Sequence, residues 1–184
     1  MADQIARWHS EHVRFARLLD LLEAQVAMFH EGAWPNFGLM LDIVTYLREY
    51  ADHCHHPRED AAFERLLLHD PSLSLPINRL LQEYRVIVAA GEELVEHLDD
   101  VIADAMVPRA RIEAAAAQYL AYYRHHVGTE EREILPRAAR LLTPQDWAHV
   151  TVCAPLMPDP LFDDPPSEAY RELRQLLSTR ESAT

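Results

Sequence analysis

The residues best suited to chemistry lie in two short runs, each with a histidine four positions before a glutamate. His55 and Glu59 occur in the run His-His-Pro-Arg-Glu-Asp, and His126 and Glu130 occur in the run His-His-Val-Gly-Thr-Glu-Glu. Residues four apart share one face of an α-helix, so each pair presents an imidazole beside a carboxylate. Such a pair can chelate an iron-like divalent or trivalent ion. One pair alone says little, because many surface helices contain this spacing.

The two pairs belong to a longer internal repeat. His12 follows a glutamate and lies 43 residues before His55. Tyr84 also follows a glutamate and lies 42 residues before His126. We therefore interpret the chain as two helical hairpins. This arrangement predicts one metal ligand from each of the first and third helices and two from each of the second and fourth, all at a common depth.

Four long stretches must position these residues. Apolar residues recur in them at steps of three and four, which predicts one buried face on each of four helices. Pro57 lies inside the second stretch, where it removes the hydrogen bond to the carbonyl of His53 and predicts a kink. The first, second and fourth helices are predicted over approximately 2–31, 36–68 and 108–142. The third is predicted to follow the loop 69–76, in which Asp70 or Ser74 can cap it, and to end near Asp104.

The C-terminal part of the chain has a different pattern. Thr143 and Pro144 predict the start of a short helix, and Ser167 predicts the cap of another that ends near Ser178. Between them, residues 154–166 contain five prolines and no periodicity. The predicted fold class is therefore all-α: an up-down-up-down four-helix bundle over 1–142, with a short C-terminal helical arm over 143–184.

Composition and charge exclude several classes of function. The net charge is −13, with 30 acidic and 17 basic residues, which argues against binding to nucleic acid or to an anionic membrane surface. We expect no signal peptide and no membrane-spanning segment, because no window approaches the necessary apolar length. Cys54 and Cys153 cannot form a disulfide framework. These features predict a cytoplasmic protein with reduced thiols.

The order and spacing of the histidines and glutamates resemble those of the hemerythrin-like, or HHE cation-binding, family over about residues 1–142. The resemblance implies a four-helix bundle with two iron ions, bridged by two glutamates and a solvent oxo or hydroxo group. The candidate metal ligands that follow are His12, His55, Glu59, Tyr84, His126 and Glu130.

Tyr84 departs from the family, which has a histidine at this place in the third helix. A phenolate is a harder, anionic donor that would favour ferric iron and disfavour reversible dioxygen carriage. The alternative is that Tyr84 is a core residue and that one iron has lost a ligand. His53, His56 and His125 adjoin candidate ligands. His56 is open to ligation, or to pairing with Asp60 on a solvated face.

Three hypotheses follow. The first is a non-haem di-iron protein that binds or reacts with O2, peroxide or NO, with peroxide breakdown as one possible enzyme activity. The second is an iron, oxygen or redox sensor without turnover, in which the C-terminal arm reports the state of the metal to a partner. A purely structural bundle is the third reading. The sequence leaves a homodimer open and does not identify the physiological ligand.

Overall fold

The computed structural model describes residues 2–181, with side chains from residue 4 to residue 179, and this part of the chain is helical with no β-strand. The predicted all-α class is confirmed. The α-helices are α1 Ala2–His30, α2 Phe37–Tyr46, α3 His56–His69, α4 Ser74–Ile102, α5 Arg109–Thr129, α6 Leu135–Leu141, α7 Pro144–Cys153 and α8 Arg171–Glu181.

The helix boundaries follow local sequence signals. Gly32 adopts a φ of +86° directly after α1, a left-handed conformation that glycine reaches without a steric penalty. Thr143 and Asp146 form a capping box at the start of α7, as the Thr-Pro sequence predicts. Ser167 makes no side-chain cap hydrogen bond, so the capping role predicted for it is wrong.

Two segments of π-helix interrupt the second and fourth long stretches. The first π segment is Leu47–His55 and runs directly into α3, which has Pro57 in its first turn. The second π segment is Glu130–Ile134 and runs into α6, which also has a proline in its first turn. A proline cannot donate the hydrogen bond that a regular helix needs at that position. The disturbance predicted at Pro57 therefore takes the form of a wider helical turn.

The apolar core is divided into two clusters, and the candidate ligands lie between them along each long stretch. On α1, the chain passes from Trp8 in one cluster through His12 to Phe15 in the other. On α5 and the second π segment the order is reversed, from Tyr123 through His126 to Ile134. The ligand layer is thus enclosed by apolar side chains on both sides. The up-down arrangement of the bundle stays a prediction.

The C-terminal arm folds back onto the long helices. Helix α7 packs against α3, and α8 packs against α2. Between these helices, Asp159 is buried and accepts hydrogen bonds from Tyr46 (3.1 Å) and Arg14 (3.2 Å). Leu161 is also fully buried in the larger core cluster. The arm therefore contributes to the core, and the boundary predicted at residue 142 stays a prediction.

Two further features bear on the sequence-based expectations. Both cysteines are free thiols, Cys54 partly buried and Cys153 exposed. Within residues 2–181, no helix is both long enough and apolar enough to cross a membrane.

Candidate metal centre

Three of the long stretches converge on one buried layer. His55 is the last residue of the first π segment, His56 is the first residue of α3, and Glu59 follows within the first turn of α3. His12 reaches the layer from α1. His126 is near the end of α5, and Glu130 begins the second π segment. All six side chains are at most 5% exposed.

The first ligand group consists of His12, His55 and Glu59. The two Nε2 atoms lie 3.1 Å apart. Glu59 Oε1 lies 3.2 Å from Nε2 of His12 and 2.8 Å from Nε2 of His55. These spacings allow the three atoms to hold one ion.

The second ligand group consists of His56, His126 and, again, Glu59. One ligand atom from each residue lies within 4.8 Å of the others. Two consecutive helical residues point about 100° apart, so His55 and His56 can serve neighbouring groups while Glu59 is common to both. The arrangement is therefore that of a pair of adjacent sites with a shared carboxylate.

Glu130 faces both groups. Its Oε2 lies 3.4 Å from Nε2 of His12, and its Oε1 lies 3.3 Å from Nε2 of His126. Neither oxygen has a hydrogen bond within the described part of the chain, although the residue is fully buried. Burial and the neighbouring carboxylate of Glu59 raise the pKa of Glu130 well above its usual range. A bound cation would remove this cost, because buried carboxylates need a counter-charge.

Carboxylates from other helices hold the imidazoles of the first group. Nδ1–H of His55 donates to Glu11 (2.6 Å), and Nδ1–H of His12 donates to Glu131 (2.7 Å). Each imidazole is thereby fixed with its Nε2 toward the centre, which is the usual outer support of a metal-binding histidine. Once both Nε2 atoms are free of protons, two nitrogen lone pairs and the Glu59 carboxylate converge on one point. This convergence suits a cation.

Glu11 is itself tightly held. Burial alone would raise its pKa, but the hydrogen bond from His55 and the nearby guanidinium of Arg58 outweigh burial and lower the pKa to about 2. Tyr50 also donates to Glu11 (3.3 Å). The glutamate before His12 in the internal repeat therefore orients the histidine of another helix, a role that the sequence did not reveal.

The second group has looser outer support. Nδ1 of His56 lies 3.4 Å from Asp52, and Nδ1 of His126 lies 3.8 Å from Glu83. Neither nitrogen has a partner with hydrogen-bond geometry in the described residues. The pairing of His56 with Asp60 considered from the sequence is wrong, because Nδ1 of His56 faces Asp52, one turn earlier.

The geometry agrees with a comparison to known families. A family model described as the hemerythrin HHE cation-binding domain matches residues 3–138. The chain belongs to this hemerythrin family. Membership implies a metal-binding module. The matched range includes all of the residues in the two ligand groups. No curated protein and no solved structure matches the chain at a significant level.

For this hemerythrin-family chain, five of the six residues predicted as ligands lie in the buried layer, and Tyr84 has a different environment. Its half-buried ring lies edge-on to the imidazole of His56, with ring centroids 4.4 Å apart. Burial raises the pKa of Tyr84 above its usual range. Ligation by Tyr84 stays a prediction.

His56 is one of three histidines beside the predicted ligands whose role the sequence leaves open, together with His53 and His125. The sequence feature that could have identified His56 is its place in a pair of adjacent histidines. Such a pair occurs twice in the chain, and the two pairs differ in burial. In the first run, both histidines are buried, whereas in the second run His125 is exposed and lies 3.2 Å from Glu83. The doubled histidine alone therefore does not tell which residue faces the interior.

Proposed function

We propose that this chain is a non-haem di-iron protein that binds or reacts with O2, peroxide or NO. The convergence of imidazole Nε2 atoms and buried carboxylates supports this proposal, because these atoms can together ligate a cation. Imidazole together with carboxylate suits iron among the common metals. The proposed ligands are His12, His55, His56, Glu59, His126 and Glu130, with Glu59 and Glu130 as the bridging residues.

The protein residues would hold and insulate the centre. Outer carboxylates orient the imidazoles of His12 and His55, and the two apolar clusters exclude bulk water from the ligand layer. Bound iron would supply the redox change and an open coordination position for a small ligand. The reversed order of the two clusters on α1 and α5 supports an up-down four-helix bundle as the scaffold.

Metal analysis tests the proposal directly. After expression with added iron, we expect two iron ions per chain, measured by elemental analysis of the purified protein. Iron content below one per chain would refute the di-iron assignment. A Glu64→Gln variant changes an exposed carboxylate on α3 and should keep the full metal content.

A sensor without turnover is the second candidate function. It is favoured by a line of contacts from the centre to the arm. Glu11, which holds His55, accepts a hydrogen bond from Tyr50, whose ring stacks on Tyr46 with centroids 5.6 Å apart. Tyr46 in turn donates to Asp159 in the arm. Loss of metal could thus alter the arm through Glu11.

Two measurements separate the candidate functions. Peroxide consumption by the iron-loaded protein, faster than that of the same protein after iron removal, favours the reactive di-iron protein. Absence of consumption, combined with a change in protease protection of residues 154–166 on metal removal, favours the sensor.

A further inference from the structure

A pocket of about 340 Å³ lies between α1 and the C-terminal arm. Its wall on α1 contains Arg14 and Arg17, and its wall on the arm contains Phe162 and, from α8, Arg174. We call it the arginine pocket. None of its described lining residues is a proposed metal ligand or a carboxylate that holds one. The arginine pocket is therefore a second candidate site, separate from the metal centre.

The charge of the arginine pocket is opposite to that of the protein as a whole. Three arginines line it, and none of its described lining residues is acidic. The whole chain, in contrast, has 30 acidic and 17 basic residues. Charged groups of one sign in a concave surface concentrate ions of the other sign. The pocket is therefore expected to attract anions, although the protein itself carries a net negative charge.

Two of the guanidinium groups lie beside one aromatic ring. The Cζ atoms of Arg14 and Arg174 are 4.9 and 5.4 Å from the centroid of the Phe162 ring. Cation–π attraction favours each position, but two like charges beside one ring repel each other. An anion bound to both guanidinium groups would offset this repulsion. The arrangement is therefore more favourable with an anion present.

Hydrogen bonds to the arm hold both of these side chains. Arg14 donates to Asp159 (3.2 Å), and Arg174 donates to the backbone carbonyl of Leu161 (3.4 Å). Asp159 balances the charge of Arg14, but it is 2% exposed and does not line the pocket. A guanidinium group has several N–H donors, so one hydrogen bond leaves others for a ligand. Binding would therefore require little further ordering of these two side chains.

The remaining lining residues indicate the size and type of the ligand. Ser10 adds a hydroxyl group one helical turn before Arg14, and Val13 and Leu177 add apolar surface. A volume of about 340 Å³ is near the lower end for small-molecule sites. Guanidinium groups bind the oxygens of carboxylates and phosphates in pairs. A phosphate carries more charge and more acceptor oxygens than a carboxylate, so it is the anion that best suits several arginines.

We propose that the arginine pocket binds a phosphate group, either as inorganic phosphate or as the phosphate of a small monoester. Arg14, Arg17 and Arg174 hold the phosphate oxygens, and Val13 and Leu177 contact the organic part of an ester. Because α1 and α8 both contribute to the pocket, the ligand also joins the arm to the first long helix. This site does not depend on the proposed di-iron function.

The first experiment uses calorimetry to titrate the full-length protein with inorganic phosphate and with phenyl phosphate. Ionic strength is held constant, and acetate is the control for a singly charged carboxylate. We expect at least one phosphate probe to bind saturably and about 10-fold more tightly than acetate. Tighter binding of phenyl phosphate identifies a monoester as the ligand, whereas equal or weaker binding identifies inorganic phosphate. No saturable binding of either probe up to about 10 mM would overturn the proposal.

The same titration is repeated after treatment of the protein with a metal chelator, because phosphate also ligates iron. Phosphate binding that persists without metal supports the arginine pocket. Binding that disappears with the metal would place the phosphate at the metal centre and overturn the proposal.

The second experiment repeats the titration with one arginine changed at a time. Arg17→Gln and Arg174→Gln should each weaken phosphate binding by about 10-fold or more, because each removes a charged hydrogen-bond donor. Arg171→Gln is the matched control. It removes the same charge from α8, at a side chain that is 66% exposed and does not line the pocket. This variant should bind phosphate within about twofold of the wild type.

Wild-type affinity in both Arg17→Gln and Arg174→Gln, or an equal loss in Arg171→Gln, would overturn the proposal. Arg174 also bonds to the arm, so the circular dichroism spectrum and Tm of each variant are compared with those of the wild type. If Arg174→Gln is less stable, Arg17→Gln decides, since Arg17 is an exposed residue of α1. Unchanged affinity in that variant then overturns the proposal by itself.

Discussion

The two ligand groups share Glu59 but differ in how their histidines are held. In the first group, His12 and His55 donate from Nδ1 to carboxylates at 2.7 and 2.6 Å. In the second group, His56 and His126 lie 3.4 and 3.8 Å from the nearest carboxylates and have no hydrogen bond at Nδ1 in the part of the chain described.

We infer from this difference that the first group is ordered without metal, whereas the second would be ordered by metal binding. Hydrogen bonds to the outer nitrogen fix the tautomer and ring orientation of a ligand histidine. Without them, metal binding must also supply the free energy that orders the imidazole. We therefore expect the first site to fill before the second.

The largest effect is expected from Glu59→Gln, because this residue belongs to both groups. Removing the shared negative charge should weaken binding of both ions by more than about 100-fold, beyond the range for loss of an outer partner. Elemental analysis after dialysis should find less than one metal ion per chain, compared with two in Glu64→Gln. Retention of one tightly bound ion would show that the groups do not depend equally on Glu59.

A smaller and unequal effect is expected from the outer carboxylates. Glu11→Gln should weaken the first metal-binding step by about 10- to 100-fold, because it removes the charged partner of His55. Glu83→Gln should change the second step by less than about threefold, since Glu83 lies 3.8 Å from His126. Calorimetric titration with ferrous iron measures the affinity of both binding steps in each variant. Equal losses in the two variants would contradict the difference between the groups.

Asp146→Asn tests how firmly α7 is held against α3, the helix that carries Glu59. Burial acts to raise the pKa of Asp146, but hydrogen bonds from Thr143, His69 and Arg65 outweigh it and lower the pKa below its usual range. Its charged hydrogen bonds are expected to stabilise the native state by about 1–3 kcal/mol.

A carboxyl group whose pKa is lower in the folded than in the unfolded state stabilises the fold at pH values above the unfolded pKa of about 3.9. This stabilisation is lost as the pH falls toward the folded pKa. Urea unfolding should therefore give Asp146→Asn a lower free energy of unfolding than the wild type at pH 7. The difference between the two proteins should be smaller at pH 3. A gap that is the same at both pH values would argue that the carboxylate charge is not the stabilising feature.

The smallest effect is expected from Tyr84→Phe. If His56 is the ligand and Tyr84 packs against it, the variant should keep two iron ions and its visible spectrum, since the ring is retained. If Tyr84 ligates ferric iron, a phenolate-to-iron charge-transfer band present in the wild type should disappear. The visible spectrum of the two iron-loaded proteins decides between these outcomes, with Tyr122→Phe as the control for loss of a phenol at a more exposed position.

The sequence by itself determined the helices and most of the candidate ligands. Helical boundaries were predictable because caps, glycine and proline act over a few residues, as at Gly32 and Thr143. The proximity of His55 and Glu59 was also predictable from their i, i+4 spacing, since residues four apart share a face in any helix.

Only the tertiary structure decided what meets across helices. The pairing of Glu11 with His55, the burial of His56 and the packing of Trp147 in the smaller apolar cluster depend on the rotation of each helix and on its neighbours. Spacing within one helix contains no information about these quantities. They are set when the two apolar clusters pack, which turns some polar residues inward to the ligand layer and leaves others, such as His125, at the surface.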